Sequence, residues 1–216
     1  MVTTVYIVRH CEAEGNLLGE FQGSKDCDIT EKGKLQLLKL RERLKDVHFD
    51  AVYSSPLKRA VKTARAGAGE NADIIILEDL REINGGEFEG KKWRDLPVLY
   101  PREFDLWQND FGNFKAPKGE SVSDVYNRMS KAFIKIVSEN KGKTVGIFSH
   151  GCSIRTLLTY IKGLPSERVS ETDWSDNTAI SCVEISENGE MNLLYENDSR
   201  HIENDEATAA CKRYWG

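Results

Sequence analysis

The sequence predicts an α/β fold, a three-layer α/β/α sandwich whose central sheet is mostly parallel with one antiparallel edge strand. Short runs of β-branched and aromatic residues alternate along the chain with segments whose apolar residues recur every three or four positions. Near the end, two further apolar runs flank a tight-turn sequence, which is typical of a hairpin. The chain has 216 residues, a length that one core can serve, and we expect residues 1–216 to form a single domain.

The first strand and the first long helix follow from local patterns. Residues 3–9 are β-branched and aromatic and run directly into polar sequence at His10, which predicts a buried strand. Thr30 is well placed to cap a helix. The apolar face of that helix is formed by residues at three- and four-residue steps, namely Leu37, Leu40, Leu44 and Val47.

Two more strands and one helix are expected before residue 80. Residues 49–55 form a short strand, and Pro56 is expected to be the first helical residue after a Ser55 cap. Residues 73–77 are a third short apolar run. Strands and helices therefore continue to alternate through this part of the chain.

The segment from about 84 to 120 differs from the rest, because it is rich in glycine, proline and aromatic residues and has no sustained period. We interpret it as an irregular, partly helical insertion that overhangs a site as a lid. Its aromatic residues either contact an apolar or ring-bearing leaving group or pack the insertion onto the domain. These residues are Trp93, Tyr100, Phe104, Trp107, Phe111 and Phe114.

The last third returns to regular elements. Ser121 and Asp124 match a capping box that opens a long amphipathic helix. Residues 143–149 predict a strand that ends at His150, and a helix follows. The runs at 179–185 and 191–196 flank an Asn-Gly turn and predict the hairpin.

Composition excludes several classes of protein. Hydrophobic residues make up 39% and charged residues 30%, the mean hydropathy is -0.51 and the net charge is -5. An acidic chain without a basic tract is a poor partner for nucleic acid or anionic lipid. No apolar run approaches the ~20 residues that a membrane span needs. The five scattered cysteines predict neither disulfides nor a zinc ribbon, so we expect a reduced, cytoplasmic protein.

Two histidines and two arginines are candidates for one anion site. His10 and His150 each follow a predicted strand, and ligands of open α/β sheets bind beyond the carboxyl ends of the strands. Arg9 precedes His10, and Arg59 lies early in a helix, where free backbone N–H groups also favour an anion. Phosphate is matched best by the planar, permanently charged donors of arginine. We expect the two arginines to disfavour protonation of His10.

Neutral and acidic candidates complete the set. Asn16, Gln22 and Gly23 supply neutral donors on the loop after His10. Glu82 lies in a glycine-containing segment, where the backbone can pass close to a ligand. Spacing alone does not select Glu82 over its rivals Glu12, Glu14, Glu87 and Glu89.

Several motifs in order resemble those of the histidine phosphatase family, also called phosphoglycerate mutase-like. The similarity runs from about residue 3 to 155 and continues weakly toward the end. The motifs are VRHCEAEGN, FQG, DITEKG, YSSPLKRAVKTA, LREINGGEFEG, KGESVSDVYNR and FSHG.

The resemblance implies that His10 is the nucleophile and forms a phosphohistidine. It implies that Arg9, Arg59 and His150 surround the phosphoryl group, that Asn16 adds a hydrogen bond, and that Glu82 protonates the leaving oxygen and then activates water. No metal or other cofactor is required, since the cations belong to the protein. One departure is Cys11, which stands where the family usually has glycine. A larger side chain there could crowd the loop or expose the site to thiol oxidation, although a thiol is small enough that we expect it to be tolerated.

Three functions are weighed. The favoured one is hydrolysis of a small phosphorylated metabolite, with a homodimer as one option for the assembly. The first rival is a cofactor-dependent phosphoglycerate mutase, for which the insertion offers only scattered basic residues, Arg102, Lys115 and Lys118. The second is a non-catalytic protein with a zinc site, whose ligands would be His10, Cys11, His150 and Cys152.

Overall fold

A computed structural model describes residues 1–203 and has a six-stranded sheet in the order β3-β2-β4-β1-β5-β6. Strands β1 to β4 are parallel to one another, β5 is antiparallel to β1, and β6 pairs antiparallel with β5 at the edge. The predicted mostly parallel sheet with an antiparallel edge is confirmed. The strands are β1 (Thr3–Arg9), β2 (Ala51–Ser54), β3 (Ile74–Ile76), β4 (Thr144–Ser149), β5 (Ile180–Ile185) and β6 (Met191–Asp198).

Helices connect these strands, and several short 3-10 turns lie between residues 78 and 113 and over Ser166–Glu171. The helices are α1 (Glu14–Leu18), α2 (Glu31–Leu44), α3 (Lys58–Ala68), α4 (Leu96–Leu99), α5 (Pro101–Asn109), α6 (Val122–Glu139), α7 (Gly151–Ile161) and α8 (Arg200–Glu203). Not one of the helices found in residues 1–203 has the length and apolarity to cross a membrane.

Alternation along the central strands divides the core between two faces of the sheet. Val5 and Ile7 of β1 belong to one apolar cluster, with residues of α6, α7 and the 84–120 segment. Val8 of β1 and Phe148 of β4 belong to a second cluster, with residues of α2 and α3. Successive strand side chains point to opposite faces, so the two clusters are the two helix-sheet interfaces of the predicted three-layer sandwich.

Two predicted caps are present. The Thr30 hydroxyl accepts a hydrogen bond from the Gly33 N–H at 2.9 Å and begins α2. The Ser121 hydroxyl accepts one from the Asp124 N–H at 3.1 Å, while the Asp124 carboxylate accepts from the Ser121 N–H at 2.9 Å. Helix α2 ends at Leu44, so Val47 lies beyond it and is only partly buried.

The predicted start of α3 is wrong by two residues. The helix begins at Lys58, with Leu57 in an extended conformation at its N-cap position. The Ser55 hydroxyl accepts a hydrogen bond from the Leu57 N–H at 3.3 Å and also contacts His150. Pro56 moreover disfavours a helical conformation at the residue before it, and the chain stays extended as far as Leu57.

The 84–120 segment is irregular and partly helical, as predicted. Its aromatic rings pack in a chain of edge and tilted contacts that reaches Phe21, which lies 5.1 Å from Trp107 and 5.5 Å from Phe88 between ring centroids. The aromatic residues therefore do pack the segment onto the rest of the chain. Trp93 and Trp107 also line the cleft described below, so both roles proposed for them from sequence are compatible.

Candidate active site

The two candidate histidines meet at the carboxyl edge of the sheet. His10 follows β1 and His150 follows β4, and these strands are paired with Arg9 opposite Ser149. The ring centroids of His10 and His150 are 5.1 Å apart and their planes are inclined by 54°. Both side chains are buried. The predicted convergence of two imidazoles distant in sequence is present.

The hydrogen bond of His10 fixes its tautomer. Nδ1 of His10 lies 2.6 Å from the carbonyl oxygen of Cys11. A carbonyl only accepts, so Nδ1 carries the proton and Nε2 keeps its lone pair. Burial lowers the pKa of His10 well below its usual 6.5, and the charges of Arg59 and Arg9 lower it further. The ring is therefore neutral near pH 7, the form that a nucleophile requires.

His150 is held in the same uncharged state. Burial, followed by the charge of Arg59, lowers the pKa of His150 well below 6.5. Its Nε2 lies 2.7 Å from the Ser55 hydroxyl. Its buried Nδ1 has no hydrogen-bond partner within residues 1–203. One polar atom of the ring thus has no hydrogen-bond partner in the described chain.

Two buried guanidiniums lie beside the histidines. Arg9 and Arg59 are each only 1% exposed. Arg59 donates to the carbonyl oxygens of Lys25 at 2.7 Å and Gly23 at 2.8 Å, and Arg9 donates to the carbonyl of Ser175. Burial lowers the pKa of Arg9 to about 10 and also lowers that of Arg59. At about 10, the Arg9 pKa leaves that guanidinium cationic at neutral pH.

Glu82 is the acidic candidate that lines the same cleft as His10. Its Oε2 accepts from the Cys152 N–H at 3.1 Å, and its Oε1 accepts from the N–H groups of Ser153 at 3.1 Å and Ile83 at 2.9 Å. The carboxyl group is thus fixed against the first turn of α7, whose free N–H groups favour an acceptor there.

The rival carboxylates lie elsewhere. Glu12 bonds Thr30, Glu87 pairs with Lys118, and Glu89 accepts from backbone N–H groups of the adjacent loops. Glu14 is exposed and accepts from the N–H of Asp28. Among the predicted carboxylates, only Glu82 lines the cleft. The position of the cleft therefore selects Glu82 among the candidate carboxylates, which spacing in the sequence alone does not.

A cleft of about 380 Å³, which includes space open to solvent, brings most of the candidate residues together. Asn16 is not in its lining, because its side-chain oxygen accepts from the Ala13 N–H at 3.0 Å, and His150 lies behind the surface. Glu20, Phe21 and Ile83 are lining residues that the sequence did not single out. The lining residues are Arg9, His10, Glu20, Phe21, Gln22, Gly23, Arg59, Glu82, Ile83, Trp93, Trp107 and Cys152.

Cys11 neither crowds the loop nor offers a reactive thiol. Its side chain is fully buried, and burial raises the pKa of the thiol to about 12. Gly33 makes room for it, since a Cβ at that position would lie 2.2 Å from the carbonyl oxygen of Glu12 and 3.3 Å from Sγ of Cys11. The sulfur therefore sits in a space that α2 leaves open.

The rival zinc site is not formed by the described part of the chain. No cluster of three or more His, Cys, Asp or Glu side chains within residues 1–203 is arranged to hold a metal ion. Cys11, Cys27, Cys152 and Cys182 are all buried free thiols, and Cys211 lies outside the described residues.

The sequence model of the histidine phosphatase superfamily (branch 1) matches residues 5–198, and the chain belongs to that family. The predicted fold and the predicted class, a histidine-type phosphomonoesterase, are thereby confirmed.

Individual relatives include both hydrolases and mutases. Phosphoserine phosphatase 1 of Hydrogenobacter thermophilus is 31% identical over 185 residues, which cover 84% of this chain and 86% of that protein. A 2,3-bisphosphoglycerate-dependent phosphoglycerate mutase of Bartonella henselae is 30% identical over 184 residues, covering 78% and 86%. The solved structure of Bacillus stearothermophilus YhfR superimposes with a TM-score of 0.86 at 32% identity, covering 92% of this chain and 98% of that one.

Proposed function

We propose that this enzyme hydrolyses small-molecule phosphate monoesters in two steps through a phosphohistidine on His10. In the first step, Nε2 of His10 attacks phosphorus, the ester P–O bond breaks, and Glu82 gives a proton to the leaving oxygen. In the second, Glu82 takes a proton from water, the water oxygen attacks phosphorus, and the P–N bond breaks to release phosphate. One observation carries the proposal: a neutral imidazole with a free Nε2 opens onto a cleft lined by two guanidiniums.

The surrounding residues stabilise charge on the phosphoryl oxygens. Arg9 and Arg59 supply permanent positive charge, and Nδ1 of His150 supplies a buried donor that has no protein partner in the described chain. Phosphoryl transfer asks a protein mainly for positioning and charge stabilisation, and these groups provide both without a metal ion. Asn16, Gln22 and Gly23 are proposed as further phosphate ligands. Of these three, Asn16 would have to exchange its bond to the Ala13 N–H for one to phosphate.

Hydrolysis is favoured over mutase activity by the charges around the leaving-group end of the cleft. A mutase has to hold a carboxylate-bearing sugar acid, which requires further cations. The basic residues Arg102, Lys115 and Lys118 do not line the cleft, and Lys118 is paired with Glu87 at 2.6 Å. Glu20 does line it, and its carboxylate pairs with Lys92 at 3.0 Å and with Lys25 at 3.6 Å, so these two lysines are already engaged and do not hold a substrate carboxylate.

The leaving group is proposed to be a neutral alcohol with an apolar or aromatic face. Phe21, Ile83, Trp93 and Trp107 form the apolar wall of the cleft. Trp93 and Trp107 come from the 84–120 segment, which we propose acts as a lid within one domain. The substrate is thus a small phosphorylated metabolite, and a cytoplasmic location is proposed because the four described cysteines are free thiols.

A substrate screen tests this function directly. Wild type and His10→Ala are compared on phosphoserine, 3-phosphoglycerate, nucleoside monophosphates, sugar phosphates and aryl phosphates, with release of phosphate as the signal. We expect the wild type to prefer the uncharged leaving groups and His10→Ala to lose nearly all turnover, because that variant lacks the attacking imidazole. His48→Ala is the control, since His48 lies outside the cleft.

The intermediate is tested by denaturing the enzyme during turnover of a ³²P-labelled ester. A phosphoramidate on histidine survives alkali and is lost in acid, and we expect such a label on His10 alone. Equal hydrolysis by wild type and His10→Ala would refute the proposal. Isomerisation of phosphoglycerate faster than its hydrolysis would show that the enzyme is a mutase and not a hydrolase.

A further inference from the structure

A short loop before β5, residues 175–179, forms hydrogen bonds with Arg9, the last residue of β1, and with His10, which follows it. The carbonyl of Ser175 accepts from the Arg9 guanidinium, and the carbonyl of Ala179 accepts from the Arg9 backbone N–H at 3.1 Å. The carbonyl oxygen of His10 receives two donors from the same loop, the Asn177 side-chain amide at 3.0 Å and the Thr178 N–H at 3.3 Å. The loop therefore fixes the backbone that carries the nucleophile.

Thr178 adopts a backbone conformation that its side chain disfavours. Its φ is 59°, in the left-handed region, and its side chain is fully buried. A β-branched residue in this region is an outlier, because its Cβ substituents crowd the backbone. Such strain persists only when the surroundings hold it in place, and it concentrates at functional sites.

Hydrogen bonds of the Thr178 hydroxyl hold this conformation. The hydroxyl donates to the carbonyl of Asn177 at 2.7 Å and lies 3.0 Å from Nε2 of His201 in α8. Because the hydroxyl proton is directed to Asn177, the His201 ring donates in the second contact. The hydroxyl of the strained residue is thus hydrogen-bonded to two different groups.

We propose that Thr178 is a positioning residue, whose left-handed backbone aims two donors at the carbonyl of His10 and so holds the imidazole in line with the phosphorus atom. This inference rests on the proposed role of His10. Neither Asn177 nor Thr178 lines the cleft, so their effect reaches the reaction only through the placement of His10. A misplacement of about 1 Å at a reacting group can lower a rate by ~100-fold.

The test separates conformation from packing by comparing Thr178→Val with Thr178→Gly. Valine keeps the shape of threonine but loses the hydroxyl bonds, so the backbone is expected to leave the left-handed region. Glycine adopts that region without cost. We expect kcat and the single-turnover rate of His10 phosphorylation to fall about 10- to 100-fold in Thr178→Val with KM unchanged, and to stay within roughly threefold of wild type in Thr178→Gly.

Thr159→Val is the matched control. Thr159 is also fully buried and its hydroxyl also has two contacts, with the carbonyl of Arg155 at 2.8 Å and the Thr172 hydroxyl at 3.1 Å, but its backbone is helical. We expect it to lower the melting temperature and leave kcat unchanged. Wild-type kcat in Thr178→Val, or an equal loss in Thr178→Gly, would overturn the inference.

Two further measurements keep the result interpretable. If Thr178→Val does not fold, Asn177→Ala removes the stronger donor to His10, and an unchanged kcat in that variant also overturns the inference. Labelling of His10 in the wild type tests the proposed function separately. A labelled wild type with insensitive Thr178 variants rejects only the positioning role, whereas an unlabelled wild type rejects the mechanism beneath it.

Discussion

The hydroxyl oxygen of Ser55 lies 2.7 Å from Nε2 of His150, and both side chains are completely buried. The same oxygen accepts from the Leu57 N–H at 3.3 Å. Within residues 1–203 no other acceptor is in reach of the Ser55 hydroxyl proton, so that proton goes to Nε2 of His150. The ring proton of neutral His150 is then on Nδ1, the nitrogen proposed to donate to the phosphoryl group.

Ser55→Ala is expected to lower kcat about tenfold with a smaller effect on KM. The substitution leaves Nε2 of His150 without its donor, which costs about 1–3 kcal/mol for a buried group and frees the ring to change tautomer. About 1.4 kcal/mol in the transition state corresponds to tenfold in rate. Steady-state kinetics on the best substrate give the answer. Ser130→Ala is the control, because Ser130 is also buried but its hydroxyl donates to the Asn127 carbonyl within α6 and not to a histidine.

The activity is expected to persist well into the acid range. Burial and two guanidiniums hold the pKa of His10 well below 6.5, and the neutral ring attacks. As the pH falls through 6.5, kcat/KM should therefore stay level with respect to His10, and it should drop only when the lowered pKa is passed.

Arg59→Gln should move the acid limb of the kcat/KM profile, the pH range over which activity is lost on acidification, to higher pH. Removing one of the charges that oppose protonation raises the pKa of His10, so the ring gains its proton earlier as the pH falls. The position of the limb is compared between variants on one substrate, so that titration of the substrate cancels. Lys34→Gln, on the exposed face of α2, should leave the limb in place. An unmoved limb in Arg59→Gln would contradict the assignment.

Glu82→Gln should slow esters with poor leaving groups far more than those with good ones. An alkoxide leaving group needs a proton, and loss of a general acid costs typically 10²–10⁴-fold. The p-nitrophenolate ion departs without a proton, so the rate of the first step with p-nitrophenyl phosphate should fall much less. Single-turnover rates of phosphoenzyme formation isolate that step.

Glu87→Gln serves as the control for this prediction, because Glu87 pairs with Lys118 and lies outside the cleft. Its rates should match the wild type for every ester. An equal loss for aryl and alkyl esters in Glu82→Gln would mean that Glu82 shapes the site without donating a proton.

The sequence allowed prediction where the governing interactions are local. The period of β1 and the capping box of α6 involve neighbours along the chain, and both elements form as expected. Strand polarity also placed His10 and His150 at the same edge, because parallel strands share their carboxyl ends. The family motifs supplied the remaining choice, that of Glu82 among five carboxylates.

Long-range contacts explain what could not be predicted. Ser55 was expected to cap α3, but its hydroxyl is engaged by His150, which lies far away in sequence. Asn177 and Thr178 lie where the family resemblance is only weak, and nothing there predicted their role, since a left-handed threonine follows from the closure of the loop and not from its composition. Glu20 was also missed, because one exposed-looking acid in a loop resembles many others until the fold places it in the cleft.

Cys11 should resist alkylation in the folded enzyme. The thiolate is the reactive form, and burial raises the pKa of this thiol to about 12. Iodoacetamide at pH 8 is expected to leave both Cys11 and the activity intact, with full labelling of Cys11 only after unfolding in urea. Peptide mass spectrometry separates Cys11 from the other cysteines. Rapid native labelling of Cys11 with loss of activity would show that the loop opens.

Arg155→Lys should destabilise the fold by about 2–3 kcal/mol. The buried Arg155 guanidinium lies 4.5 Å from the Trp174 ring centroid and 4.9 Å from that of Phe111, and it donates to the Thr172 carbonyl at 2.6 Å. Lysine keeps the charge but not the planar fork or the stacking, and a desolvated cation–π contact alone contributes about 2 kcal/mol.

Urea unfolding of Arg155→Lys and Arg168→Lys tests whether that contact joins α7 to the 84–120 segment. Arg168 is exposed and pairs with Glu171, so its replacement should cost less than about 1 kcal/mol. Since Phe111 belongs to the segment that also carries Trp93 and Trp107 of the cleft wall, Arg155→Lys should in addition raise KM for substrates with bulky leaving groups. Equal unfolding midpoints for the two variants would show that the stacked arginine does not fasten the segment.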